Sequence, residues 1–288
     1  MNRKRFLLFI VFLSFSLPSQ AQYALSTAAS GLFNQHVALF SLSKNGYHYG
    51  TAIWMNRGLS GNRIKTKYFA QGKAYQSYLR WKGNKKVILI SSGAYSNGFS
   101  ENHTPIGVCV EQGQIVNRRI ENDMDGLVIV EATGGVRVSD IDNGDLYLGS
   151  LGRRINPRTE MYTLLNWAKQ EYATVFQSHL LAYGDALRIN YNSSTTTATR
   201  RMMVIGTANG KVVHVVFHIT QPVKLLDATR DIKATMDKRG IKVVGIVNLD
   251  TGGNDILEVY NNLGAPFNGV KGTALKHQAT NLLVYYYE

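Results

Sequence analysis

The chain has 288 residues, 44% of them hydrophobic, a formal charge of +13 and one cysteine, Cys109. A single cysteine excludes an intrachain disulfide framework, so stability has to come from an apolar core, and this length suffices for one large core or two domains. The cations are scattered as singles and pairs such as Lys85-Lys86, Arg118-Arg119 and Arg153-Arg154, the pattern of a solvated surface rather than of a nucleic-acid groove.

The first segment is a leader. Arg3, Lys4 and Arg5 precede an apolar run from Phe6 to Leu17 and then Pro18-Ser19-Gln20-Ala21, a secretory signal with a Ser-x-Ala cleavage pattern. The run is too short to span a membrane stably, and no second long apolar run follows. The expected mature chain starts at Gln22, has no transmembrane segment, and is exported to the periplasm or secreted. Its charge, +13 less those three cations, is +10. For an exported protein that balance suggests anionic glycans, phosphoglycan polymers or lipid head groups as partners and makes nucleic acid remote.

Residues 22–84 alternate aromatic and polar residues with Gly and Asn, including Tyr47-His48-Tyr49, Ile53-Trp54-Met55, Tyr68-Phe69 and Tyr75 to Trp81. They read as short strands forming an N-terminal layer, with no Pro-rich or charged linker dividing them from 85–288. Strands are expected at Val87–Ile90, Ile106–Val110 and Gly126–Val130, with turns at Glu111-Gln112-Gly113, Thr133-Gly134-Gly135 and Asp142-Asn143-Gly144. Cys109 falls inside an apolar strand and reads as a buried small hydrophobe. Asn156-Pro157 suits a helix start, followed by Met161, Leu164, Leu165, Ala168 and Tyr172 at helical spacing. Strands at Leu180–Tyr183 and Leu187–Tyr191 precede a polar loop from Asn192 to Thr199. Met203 to Gly206 and Lys211 to Ile219 then form a hairpin around Asn209-Gly210, a pair that favours the type I′ turn. Leu225, Ala228, Ile232 and Met236 mark a helix stopped by Gly240. A final strand is expected at Leu282–Tyr287. Runs of strands with a few inserted helices predict an α+β fold, with flanking helices on a large mixed or mostly antiparallel sheet.

The most informative segment is Val243 to Asn254. An apolar run reads as a buried strand, and it stops at Asp250 followed by Thr251-Gly252-Gly253. A carboxylate at a strand end beside two glycines is site-like, because glycine lets backbone N–H groups approach an anion. An ordinary acidic turn gives the same local pattern.

The segment Asn248-Leu249-Asp250-Thr251-Gly252-Gly253-Asn254, preceded by its helix and strand, resembles the Asn-Leu-Asp-Gly-Gly-Gly-Ser block of the phosphodiester glycosidase family. Thr251 stands for the first Gly of that pattern and Asn254 for the Ser. Other blocks are similar in the same order. Val87 to Ile90 runs into Ser91-Ser92-Gly93-Ala94-Tyr95, with Ser91 in place of the family's Asn. Thr104-Pro105-Ile106-Gly107 to Gly113 resembles its Pro-x-Gly hairpin, Gln177 to Leu181 its Gln-Ala-Gly-Pro-Leu-Leu block, and Arg200 to Gly206 its Arg-Thr-Ala-Ile-Gly block. Together the blocks span residues 85 to 264.

The resemblance implies an exported hydrolase that cleaves a sugar-1-phosphodiester at the anomeric bond, needs no cofactor and acts on a carbohydrate or phosphoglycan. The leaving group is then a phosphate monoester, which needs little acid help, so the site has to hold phosphate charge and support an oxocarbenium-like centre. Asp250 is the candidate nucleophile, base or electrostatic stabiliser, and His179 a donor to the leaving oxygen or a simple hydrogen-bonding group. Arg200, Arg201, Ser91, Gly93, Gly252, Gly253 and Asn254 are the candidate substrate-binding residues. Asp255 and Glu258 are possible second carboxylates. No metal-ligand spacing is present, apart from an acidic turn at Asp140 to Asp145 able to hold a cation weakly. The alternative is a binding module of the same fold that recognises anionic glycans without turnover.

Overall fold

A computed structural model describes residues 23–28, 33–34, 36–58, 64–98, 100, 102–143, 146–189 and 196–288. The expected leader, Gly144-Asp145 of the acidic turn and residues 192–195 of the polar 192–199 loop lie outside these residues. The chain opens with Ala24–Thr27 (β1), Val37–Lys44 (β2), Tyr47–Asn56 (β3) and Ile64–Phe69 (β4), then Ala74–Lys82 (α1) and Lys86–Ser91 (β5). Next come Cys109–Glu111 (β6), Gln114–Asn117 (β7), Gly126–Val130 (β8), Val136–Asp140 (β9), Leu146–Leu148 (β10) and Arg153–Ile155 (β11). Met161–Gln170 (α2) leads to Thr174–Ser178 (β12), Leu180–Tyr183 (β13) and Ala186–Leu187 (β14). The long hairpin Thr197–Ala208 (β15) and Lys211–Lys224 (β16) precedes Leu225–Lys238 (α3), Lys242–Leu249 (β17), Leu257–Tyr260 (β18), Pro266–Lys271 (β19) and Leu282–Tyr287 (β20).

The strands form an eight-stranded sheet ordered β1-β2-β3-β16-β15-β17-β13-β14, two five-stranded sheets ordered β7-β6-β12-β8-β9 and β19-β18-β5-β20-β4, and the ribbon β10-β11. Every ladder among the described residues is antiparallel. Strand makes up 49% of the structure and helix 17%, so the fold is mostly β with few helices. The single large sheet expected from sequence is instead three sheets around one interior. Met203, Ile205, Val247 and Leu249 of the first sheet meet Cys109, Val128 and Phe176 of the second and Leu89, Leu257, Val259 and Leu283 of the third.

Period-2 alternation gives each sheet a second apolar face, and one helix covers each. Helix α3 places Leu225, Ala228, Ile232 and Met236 on Met202, Val204 and Ile246. Helix α2 packs Leu164, Leu165 and Ala168 on Val110, Leu127 and Val175, and α1 packs Ala74 and Tyr78 on Val87, Ile90 and Val284. The N-terminal layer is integral to this arrangement, since β3 pairs with β16 and β4 with β20. Cys109 is fully buried and its thiol pKa is pushed up by that burial, in keeping with an inert core residue.

Several local expectations are corrected. Tyr75 to Trp81 is helical, because Ala74 and Tyr78 share a face and the aromatic side chains pack on one side against the third sheet; β-propensity misleads there. Asn156-Pro157 opens a separate turn that Glu160 closes, its backbone N–H donating to Asn156 O at 2.8 Å, and α2 starts only at Met161. Tyr172 lies past the helix end with φ 50° and is exposed. The strand expected at 106–110 begins only at Cys109 and runs to Glu111, and of 187–191 only Leu187 is in a strand, Ala186–Leu187, with Arg188 and Ile189 outside it and Asn190-Tyr191 outside the described residues. The Asn209-Gly210 turn has φ of 50° and 75°, as type I′ requires.

Gln177 fixes the long connection between β5 and β8. Its Oε1 accepts from Val108 N at 3.1 Å and Glu121 N at 2.9 Å, while its Nε2 donates to Glu121 O at 2.6 Å and to Met124 O. Gly107 follows from this contact: its φ is +79°, and a Cβ there would lie 2.5 Å from Gln177 Oε1. Gln177→Met keeps the side-chain length and strips all four bonds, so urea unfolding should show a loss of roughly 3 kcal/mol or more.

Candidate functional site

Strand β17 is flanked on both sides, by β15 and β13, which fixes its register and brings Asp250 to its end. There Asp250 N donates to Gly93 O at 3.1 Å, joining the exits of β17 and β5. The chain turns at Gly252, φ +73°, through one 3₁₀ turn that carries Asn254 back over the acid. Asn254 Nδ2 donates to Asp250 Oδ2 at 3.1 Å and to Gly98 O at 3.0 Å. The backbone N–H groups of Thr251 and Ser96 also donate to the carboxylate. Asp250 is 5% exposed. Burial pushes its pKa up to about 6, against the opposing pull of these donors and of the Arg201 charge.

Tyr95 connects the acid to the remaining groups. Its hydroxyl accepts from Asn248 Nδ2, and its ring meets His179 edge to face with centroids 5.1 Å apart. Burial raises the phenol pKa first and the Asp250 charge adds to it, so Tyr95 stays protonated. His179 Nδ1 lies 3.0 Å from the carbonyl oxygen of Asp123, and a carbonyl only accepts, so Nδ1 carries the proton and Nε2 presents a lone pair. Burial lowers the His179 pKa, with a smaller push in the same direction from Arg200. Arg200 is half-buried; its Nε donates to Val223 O at 3.4 Å, an Nη donates to Thr196 O, and its charge interacts with Tyr95. The arrangement is a carboxyl that titrates near neutrality, a neutral imidazole acceptor, a phenol and a guanidinium. It can accept a proton, hold a hydroxyl and receive an anion.

The structure separates the candidates taken together from sequence. Asp250, His179, Arg200 and Asn254 belong to one connected cluster, and Gly252 and Gly253 are exposed at its edge. Arg201 does not share it. Adjacent strand residues face opposite ways, so Arg201 points inward, is fully buried and pairs with Asp255. Ser91 is also fully buried, donating to Ser92 O at 2.8 Å and accepting from Arg201 Nη1 at 3.3 Å. The Gly93 N–H, expected to meet an anion, donates to Asn281 Oδ1 at 2.8 Å, and Gly93 is small because a Cβ would lie 2.7 Å from Tyr68 Cε2.

Asp255 is the partner of Arg201 and of Thr273 rather than a second acid, and Glu258 is held by Lys276 at 2.7 Å and by Tyr260. Asp140 of the acidic turn is buried against Arg188 at 2.8 Å, and no group of three metal-binding side chains occurs among the described residues. Tyr95 and Asn248 were missed as site residues. Both stand inside quoted blocks, one at the end of the Gly93 segment and one two positions before Asp250.

A scan against family models and a search of curated proteins find no match. Among solved structures, one described as a hypothetical protein from Synechocystis is similar, with a TM-score of 0.52, 11% identity, and coverage of 94% of this chain and 69% of that one. At that identity the likeness shows the fold alone.

Two outcomes test this geometry. The two arginines should part company: Arg201→Met strands the buried Asp255 charge and should cost about 3–5 kcal/mol in denaturant unfolding, whereas Arg200→Met should stay within about 1 kcal/mol. Because the folded Asp250 pKa is raised above its unfolded value, its contribution to stability is greatest below about pH 4 and falls as pH rises to 6. Asp250→Asn lacks this titration. The difference in Tm, variant minus wild type, should therefore grow between pH 4 and 6 and level off above 7.

Proposed function

We propose that the protein is an exported hydrolase of phosphodiester-linked sugars, with Asp250 as the base that activates water. The carrying observation is the buried Asp250 carboxyl at the end of β17, with its pKa pushed up to about 6 and its neighbours Tyr95, Asn254 and, through Tyr95, His179 and Arg200. In this reading water adds to the anomeric carbon and gives its proton to Asp250. The electrons of the broken C–O bond leave on the phosphate oxygen, so no strong acid is required. Arg200 faces the phosphate, and His179 Nε2 accepts from a sugar hydroxyl.

A binding module is the second reading, and a specific observation favours it. Arg201, Ser91 and the Gly93 N–H are committed to internal partners, which leaves Arg200 as the cation of the cluster with access to solvent. Such a site can hold a sugar phosphate without turning it over.

The test is hydrolysis of a panel of UDP-sugars and aryl sugar-1-phosphodiesters by wild type, Asp250→Asn and Arg200→Ala, following sugar release. The expected result is release by wild type, rising with pH through about 6 as the base ionises, a fall of at least 100-fold in Asp250→Asn, and a raised KM in Arg200→Ala. Binding of sugar phosphates without release by any form would establish the module instead.

A further inference from the structure

A cavity of about 380 Å³ lies where the eight-stranded sheet meets β9, the edge strand of the second sheet, and the β10-β11 ribbon. Val138 and Ile205 form part of its wall and also belong to the shared interior, so the cavity borders the central core. Its rim is apolar and wet. Tyr147, Val212 and Val244, all lining residues, are 48%, 40% and 38% exposed, although they come from three different strands. Scattered single exposed hydrophobics need no explanation, but three converging on one concave space do.

A second feature is polar. The ionisable lining residues of acid or base type are Arg137 and Arg154, with no carboxylate. Arg137 is fixed at the wall: its Nη1 donates to Tyr147 O at 3.0 Å and its guanidinium lies 6.0 Å from the Trp167 ring centroid. Its ion pair with Glu131, at 3.0 Å, is half-exposed on both sides and thus weak, so the guanidinium can receive a second anion.

We infer that this cavity is a binding site for an anionic amphiphile, a molecule with an apolar body lying on Val138, Ile205, Val212 and Val244 and a carboxylate meeting Arg137. It is separate from the Asp250 cluster. Val244 and Asp250 stand near opposite ends of β17, about 20 Å apart at the strand's rise. The inference does not depend on the proposed hydrolysis.

The experiment is calorimetric titration of the mature protein with decanoate, below its micellar range, and in parallel with decanol. Saturable binding of decanoate is expected, weakened at least about tenfold by Val244→Trp, which fills the rim. Val212→Trp is the second blocking variant should Val244→Trp not fold, each being checked by its Tm. Decanol should bind at least about fivefold more weakly than decanoate. Absence of saturable binding, or binding unchanged in the folded blocking variants, would overturn the site; equal binding of decanol would overturn its anionic character.

Discussion

The buried ion pair of Arg201 and Asp255 holds the candidate site together from below. Arg201 leaves the eight-stranded sheet on β15 and meets the third sheet on the far side, donating from Nη1 to Ile256 O at 2.7 Å and to Ser91 Oγ at the end of β5. Asp255 is completed from its other flank by the backbone N and Oγ1 of Thr273, at 3.0 and 3.1 Å. A pair so fully buried persists only where most of its lone pairs and protons are satisfied. The same field reaches further. Burial and the Arg201 charge push His218 down to about 4, so it stays neutral beside the guanidinium, and Arg201 is the cation that draws on Asp250.

A raised carboxyl pKa next to a fixed cation is a balance of two opposing terms. Burial favours the neutral acid, while Arg201 and three hydrogen-bond donors favour the carboxylate, and the outcome falls near neutrality. Strand geometry makes the balance possible. Because Arg200 and Arg201 are adjacent on β15, one side chain is available to set the field inside and the other to face a charged molecule outside. The family resemblance treated the two as interchangeable phosphate ligands, and the pleat separates them.

Much of this was legible from residues alone where a pattern had a single physical cause. The Asn209-Gly210 hairpin, the helix ended by Gly240, the terminal strand and the acid at the end of β17 each follow from local chemistry. Tyr75 to Trp81 did not, since aromatic residues suit a strand and a half-buried helix equally, and only the third sheet decides. The site was half legible. Asp250 announces itself by its position, but the roles of Ser91, Gly93 and Arg201 depend on partners such as Asn281 and Asp255 that lie in other strands. Tyr95 escaped notice because its importance comes from touching His179, a contact between segments distant in sequence.

Strand β20 occupies an inner place in the third sheet, between β5 and β4, and Leu282 pairs with Phe69. The interior common to all three sheets includes Leu283 and Tyr285 from that strand. Closure of the core therefore waits on the joining of segments from opposite ends of the chain, a non-local step that slows folding. A chain built this way stays open while it is being made and handled, and commits to its native form late.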